Sequence, residues 1–485
     1  MKYWSIRAGL ILVAAAAAPA VMPGCSCESS SSATTEGNGG SGNSGQGGEG
    51  GSLFTTGSGG GGGNGPCQGL ECDVLACGNG VKTTVTGVVY EPAGKVPLYN
   101  VTVYVPRERL DVVPLDPIED GASCDTCAAN LSGNPIAAAL TDTEGRFVLE
   151  DVPAGENIPL VIQAGKWRRE FVLPLVGGCI DNPTTDGEVR LPRNQAEGHI
   201  PLIALTTGGA DPLECLLRKA GIDDAEFTPE GGTGRVHLFA GNGGANRFAD
   251  NLNAGADFTS ATALWSTQDA LMRYDVVLLA CEGSQNPNTK PADARQAMSD
   301  YASAGGRIFA SHWHNYWLQE GPAPWPSTAS WDFQNDPPQP FTGLIDTSFP
   351  KGQALSDWLV NVQASQNAGE IDIQAPQHTI STIDPELTTR WIYSEAPEVP
   401  GVQYFTFNTP IADAAGAPVD PADQCGRVVY TDIHVSSGDN VGSPFPQGCT
   451  TQDLSPQEKA LLFMLFDLTS CVTPDDEPPP APEIQ

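Results

Sequence analysis

The sequence predicts a multidomain chain: a small β-sandwich followed by an α/β domain with a mostly parallel sheet. Three observations carry this. From about residue 82, short runs of β-branched residues are separated by Gly and Pro, the pattern of a sandwich. From about residue 233, apolar runs alternate with helical segments across short joints, the pattern of a parallel sheet. The 485 residues are enough for two or three domains.

At the start of the chain, Lys2 and Arg7 precede an apolar stretch from Ala8 to Val21. This is the length of a signal-peptide core and too short to span a bilayer. Met22-Pro23-Gly24-Cys25 follows and resembles a bacterial lipobox, although Met22 and Pro23 depart from its usual residues. The resemblance implies diacylation of Cys25 and anchoring in the cell envelope, with Ser26 compatible with the outer membrane. Two acyl chains hold a protein to a membrane far more firmly than one. Ordinary cleavage after Ala18-Pro19-Ala20, giving a secreted protein, is the competing reading. Of 13 cysteines, lipidation of Cys25 leaves 12, a number that can pair completely.

Residues 1–25 are thus read as signal and lipobox. Residues 26–66, rich in Gly and Ser, are a tether without the apolar content for a core and with a reach of roughly 35 Å. Residues 67–81 form a Cys-rich lead-in. The spacing of Cys67, Cys72 and Cys77 lacks the CxxC pairs of a zinc ribbon, so disulfides are expected.

The sandwich is placed at residues 82–195. Thr84 to Tyr90, Val101 to Val105, Phe147 to Leu149, Leu160 to Ile162 and Arg169 to Leu175 read as strands. Gly87-Val88-Val89, Pro97-Leu98, Asn100 to Val103, Thr141-Asp142, Gly145-Arg146-Phe147 and Val152 to Gly155 resemble, in that order, the carboxypeptidase regulatory-like domain, a transthyretin-like sandwich. The resemblance implies a binding or scaffold module without catalysis. An insertion from about 107 to 138 carries Cys124-Asp125-Thr126-Cys127; in a loop between strands this CxxC is expected to be structural, not a redox pair.

Residues 196–232 are a bridge. Ile200 to Leu205 reads as a strand, and Asp211-Pro212-Leu213-Glu214 as a helix start with Asp211 as N-cap. Gly221 is expected to end that helix.

The α/β domain is placed at residues 233–472, with an acidic, Pro-rich tail at 473–485. Val236 to Ala240 is a strand leading to Asn242-Gly243-Gly244 and then a helix; Asp275 to Ala280 is a buried parallel strand. A helix over about 292–304 ends at Gly305-Gly306, and Arg307 to Ala310 is the next strand. Trp391 to Ser394, Val402 to Phe407 and Arg427 to Ile433 add strands. Ser455-Pro456-Gln457-Glu458 opens a buried closing helix through a capping box.

Tyr274 to Leu279, Tyr301 with Gly305 to Phe309 and His312, and Gly426 to Thr431 with His434 resemble the flavodoxin-like fold of the class I glutamine-amidotransferase-like superfamily, within it the ThuA-like group. Amidotransferases place a nucleophilic cysteine in the turn that here reads Ser311-His312-Trp313-His314, so glutamine hydrolysis is not expected. Cys281 is no substitute, because it ends the neighbouring strand.

Side chains at the carboxyl ends of parallel strands converge on one crevice. Glu282, His312 and His434 are therefore the candidate catalytic residues, as acid, base and orienting partner. His312 and His314, with His434 or Glu282, are a candidate zinc site. Trp313, Trp317 and Asp432 are candidate ligand contacts, within an aromatic wall that also includes Tyr316, Trp325 and Trp331 and would suit a sugar ring. Satisfied strand-end histidines and sheet-covering tryptophans are the plain alternative.

A net charge of −34 repels phosphate backbones and excludes nucleic acid as a partner. Two functions remain from the sequence. One is a lipid-anchored surface protein, non-catalytic, that binds or scaffolds an extracellular polymer (a polysaccharide) or a partner protein. The other is a carbohydrate-processing hydrolase working at the Glu282, His312 and His434 crevice.

Overall fold

Where β-branched residues alternate between Gly and Pro breaks, the chain forms short strands. These are β1 (Thr84–Val88), β2 (Thr102–Val105), β3 (Ala137–Leu140), β4 (Arg146–Leu149), β5 (Gly155–Ala164), β6 (Trp167–Val176), β7 (Asp181–Pro183) and β8 (Gly198–His199). The computed structural model describes residues 67–124, 131–333, 336–374, 376–395, 400–435 and 438–484. The signal, Cys25, the tether and Cys127 lie outside them.

These strands form a three-stranded sheet ordered β4-β1-β7 and a five-stranded sheet ordered β3-β2-β5-β6-β8. Val85 and Leu149 of the first share one buried core with Val103, Leu160 and Ile162 of the second. The β5–β6 turn needs a glycine twice over. Gly165 has φ +53°, and a Cβ there would collide with the carbonyl of Thr469.

The second half is dominated by one mixed sheet. Its elements are β9 (Ile203–Thr206), α1 (Leu213–Lys219), β10 (Phe227–Pro229), β11 (Val236–Ala240), β12 (Thr259–Ser260), α2 (Ala261–Leu264), α3 (Gln268–Met272) and β13 (Val276–Leu279). They continue with α4 (Ala292–Ser303), β14 (Arg307–Ser311), α5 (Tyr316–Gln319), β15 (Ala329–Trp331), β16 (Phe341–Ile345), α6 (Pro350–Asn361) and β17 (Glu370–Ile373). The last are β18 (Ile380–Ile383), β19 (Thr389–Ser394), β20 (Gly401–Thr409), β21 (Gly426–Thr431) and α7 (Pro456–Thr469).

The strand order is β10-β11-β9-β13-β14-β21-β20-β19-β16-β17, with β12 beside β11. From β10 to β21 neighbours are parallel; from β21 to β17 they are antiparallel. The chain is therefore rich in sheet, with few helices, and its large sheet is parallel over one half only. The order places β11 and β13 on opposite sides of β9, so the chain reverses direction across the sheet there. That reversal opens a crevice at the strands' carboxyl ends.

Helix α7 joins the two halves. Its capping box is present as predicted, Ser455 and Glu458 each bonding the other's backbone N–H. Phe466 packs on Trp167 and Phe463 on Tyr99, while Phe463 also meets Trp358 and Trp391. An apolar surface nearly all round is what a helix between two sheets requires.

Several local expectations fail for physical reasons. Asp211 does not cap α1. Its carboxylate accepts from Ser311 Oγ at 2.5 Å and from the Val435 N–H at 2.9 Å. No helix follows directly after β11; a loop with one short 3-10 turn, Asn253–Gly255, leads to β12 and the four-residue α2.

Disulfides join Cys67 to Cys72, Cys77 to Cys179, Cys124 to Cys425 and Cys215 to Cys449, and Cys471 is also disulfide-bonded. They place the folded chain in an oxidising environment. The CxxC is not closed on itself, since Cys124 reaches across to Cys425. Cys281 is a free, buried thiol. With it unpaired, removing Cys25 from the count no longer leaves a set that pairs completely, and cysteine parity ceases to argue for lipidation. Among the described residues, no helix is long and apolar enough to cross a membrane.

Candidate functional site

Adjacent parallel strands deliver the crevice residues. Cys281 and Glu282 follow β13, His312 follows β14, and Asp432 and His434 follow β21. His312 sits at φ +42°, a backbone region that bulky residues rarely occupy and that clusters at functional positions.

His312 Nδ1 lies 3.2 Å from His434 Nε2 and 3.5 Å from Cys281 Sγ. All three donor atoms lie within 4.8 Å of one another and, among the described residues, this is the only metal-capable group of three or more His, Cys, Asp or Glu. All three residues are buried, His434 the least at 8% exposure. Burial pushes the Cys281 thiol up to about 12, against the Trp313 and Gly283 N–H groups that face it. Burial also holds His312 down to about 2, reinforced by the neighbouring His434 and His314, so its imidazole is neutral. His434 is likewise lowered by burial, against the pull of Asp211.

Glu282 stands apart from the histidine pair. Its Oε2 is 2.5 Å from Lys290 Nζ and its Oε1 accepts from the Asn242 N–H. Burial opposes its ionisation, but His314 and Lys290 outweigh that and hold the carboxylate below its usual range. Gly241 makes this close packing possible: a Cβ there would strike the Thr207 carbonyl and crowd Glu282 Oε1.

His314 cannot pair with His312 as a metal ligand. Its Nδ1 accepts from Trp317 Nε1 at 3.0 Å, which leaves Nε2 as the protonated nitrogen, 2.9 Å from the Ala280 carbonyl. Both nitrogens are committed, and burial lowers the ring to about 4.

The proposed ligand wall also changes. Trp317 is buried against Trp265, and Trp325 against Phe407. Asp432 is fully buried, accepting from the Thr379 N–H and hydroxyl and lying 2.9 Å from the Tyr430 hydroxyl; burial raises it to about 7. Both Trp317 and Asp432 are thus buried with partners inside the protein. Trp313 does retain exposed surface, stacked on the exposed Phe333 with ring centroids 5.7 Å apart.

Sequence reasoning sets Cys281 aside as a nucleophile without placing it in the histidine cluster, and it misses Lys290. The odd cysteine count is the available signal for a free thiol, and lipidation of Cys25 accounts for it equally well. Lys290 carried no signal, because its pairing depends on a loop folding back over the end of β13.

A cavity of about 750 Å3 lies elsewhere, between the insertion, β5, β6 and the C-terminal residues. Glu119, Lys166, Asp275, Arg307 and Pro480 are among its lining residues.

No family model and no curated protein matches the chain. Among solved structures, it is similar to a ThuA-like protein from Bacteroides uniformis at 13% identity, over 54% of this chain and 88% of that one, with a TM-score of 0.27. PurLQS from Thermotoga maritima is similar at 11% identity, over 55% and 99%, with a TM-score of 0.27. A type II cohesin–X-dockerin complex from Acetivibrio cellulolyticus is similar at 15% identity, over 31% and 78%, with a TM-score of 0.15.

Proposed function

We propose that this is an exported, lipid-anchored surface protein of the outer membrane. In this reading a carboxypeptidase regulatory-like sandwich precedes a ThuA-like, flavodoxin-like domain, and the pair binds or scaffolds an extracellular polysaccharide or a partner protein without catalysis. One observation carries the non-catalytic part. Glu282, the carboxylate of the hydrolase reading, is paired with Lys290 and not with His312 or His434, and the neighbouring Asp432 and His314 are bonded to Thr379 and to the Ala280 carbonyl and Trp317. The 750 Å3 cavity supports the binding part, being of the size that small ligands or a few sugar units fill.

The test uses the intact chain against extracellular polysaccharides and cell-envelope extracts, measuring binding and the release of reducing ends together. Saturable binding without turnover is expected. Turnover that disappears in Glu282→Gln, with folding intact, would establish the hydrolase reading instead. That second reading keeps one supporting feature, the strained His312 in contact with His434. Mass spectrometry of the mature N-terminus tests the anchor: a diacylated Cys25 is expected, and an unmodified chain beginning at Val21 would overturn it.

A further inference from the structure

We propose that Cys281 Sγ, His312 Nδ1 and His434 Nε2 are three ligands of one Zn2+-type cation that clamps the ends of β13, β14 and β21, the fourth position being left to water or an outside ligand. The inference concerns a site that the binding reading does not use and stands or falls separately from it.

The first argument is geometric. Zn–S and Zn–N bonds of about 2.3 and 2.0–2.1 Å at tetrahedral angles put S···N at about 3.6 Å and N···N at about 3.4 Å. The observed separations are 3.5 Å for Cys281 Sγ to His312 Nδ1 and 3.2 Å for His312 Nδ1 to His434 Nε2. Two of the three separations thus match ligands around a common centre, and the donor atoms all lie within 4.8 Å of one another.

The second argument is valence. An imidazole nitrogen has one in-plane lone pair or one proton, so His312 Nδ1 cannot form good hydrogen bonds to both Cys281 Sγ and His434 Nε2. A cation removes the conflict, because all three lone pairs then point at one atom and the thiol releases its proton to solvent as the S–metal bond forms.

The third is the support behind the ligands. The Tyr430 hydroxyl lies 2.6 Å from the His312 carbonyl oxygen, and Gln457 Nε2 donates to the His434 carbonyl at 2.6 Å. Cys281 Sγ accepts from the Gly283 N–H at 3.5 Å, a contact that favours a metal-bound thiolate. The first two contacts hold the main chain at the histidines, and the third reaches the sulfur itself. The donor set of one sulfur and two imidazoles suits zinc, cobalt or copper and excludes magnesium and calcium.

The test begins with the full chain, disulfides intact, stripped by chelator and titrated with Co2+ and then Zn2+. One equivalent of Co2+ should bind with the visible bands of a tetrahedral ion and a near-ultraviolet thiolate-to-cobalt charge-transfer band, both erased by Zn2+. Cys281→Ser, nearly equal in size, should abolish the charge-transfer band. It should weaken binding beyond the about 10–100-fold expected from losing only a supporting contact. His434→Gln should weaken binding while keeping the sulfur band. Unchanged disulfide maps and circular dichroism establish folding of both variants. Absence of stoichiometric binding by the folded wild type overturns the proposal, as does a charge-transfer band that survives in Cys281→Ser.

Discussion

Lys290 Nζ meets Glu282 Oε2 at 2.5 Å, with the lysine side chain fully shielded from solvent and the glutamate almost so. A buried ion pair contributes little net stability, yet removing one partner strands the other charge. Glu282→Gln should therefore cost about 3–5 kcal/mol in denaturant unfolding, a loss that a solvent-facing catalytic glutamate would not show. Glu282→Gln with Lys290→Met should recover much of it. Equal stability of wild type and Glu282→Gln would mean that the pair does not form.

Glu197 predicts acid sensitivity. Burial alone would raise its carboxyl, but hydrogen bonds from Arg190 and Arg193 prevail and hold it below its ordinary value of 4.5. A depressed folded pKa contributes stability above the unfolded value, and that contribution is lost as pH falls through the folded value. Melting temperature should therefore drop below about pH 4.5, and Glu197→Gln should reduce that drop while costing of order 2 kcal/mol near neutrality.

The buried Arg427 makes the C-terminal residues structural. Its guanidinium meets Asp467 at 2.8 Å and Asp475 at 2.6 Å, and Asp475 also accepts from Thr406 Oγ1. Truncation after Val472 removes one of the two carboxylates and should destabilise the chain by about 3 kcal/mol, read by chemical denaturation. A neutral truncation would sink this account.

Disulfide mapping under non-reducing conditions should recover Cys124 linked to Cys425 and Cys215 linked to Cys449. Replacing Cys215 and Cys449 together by Ala opens a closure spanning 234 positions and should cost about 5 kcal/mol on the chain-entropy account. Recovery of a Cys124–Cys127 peptide would overturn the Cys124–Cys425 bridge.

Most strands near the site were legible because they are continuous apolar runs, as in Val276 to Leu279, or are bounded by glycines, as Arg307 to Ser311 is by Gly305-Gly306. The antiparallel half was less so. β16 and β17 are short and partly exposed, and their partners are set by neighbours rather than by their own pattern. Positions were easier to read than contacts. His312 and His434 could be placed on neighbouring strand ends and do meet. Whether Glu282 would turn towards them or towards Lys290 depends on loop packing, which leaves no periodic trace. Asp211 resembled a helix cap because Pro212 and Glu214 follow it, but a buried serine hydroxyl and a backbone N–H outcompeted the helix for its carboxylate.

The bridges Cys77–Cys179 and Cys215–Cys449 also govern how the molecule bears a pull. Tension applied between Cys77 and Cys449 runs through both sulfur bonds, and its shortest covalent path includes only the chain from Cys179 to Cys215. Fully drawn out, that path is about 120 Å, against about 1,300 Å for the uncrosslinked stretch. Residues 78–178 and 216–448 therefore lie in loops outside the shortest covalent path, and the load falls on the segment that carries β9, the strand between β11 and β13.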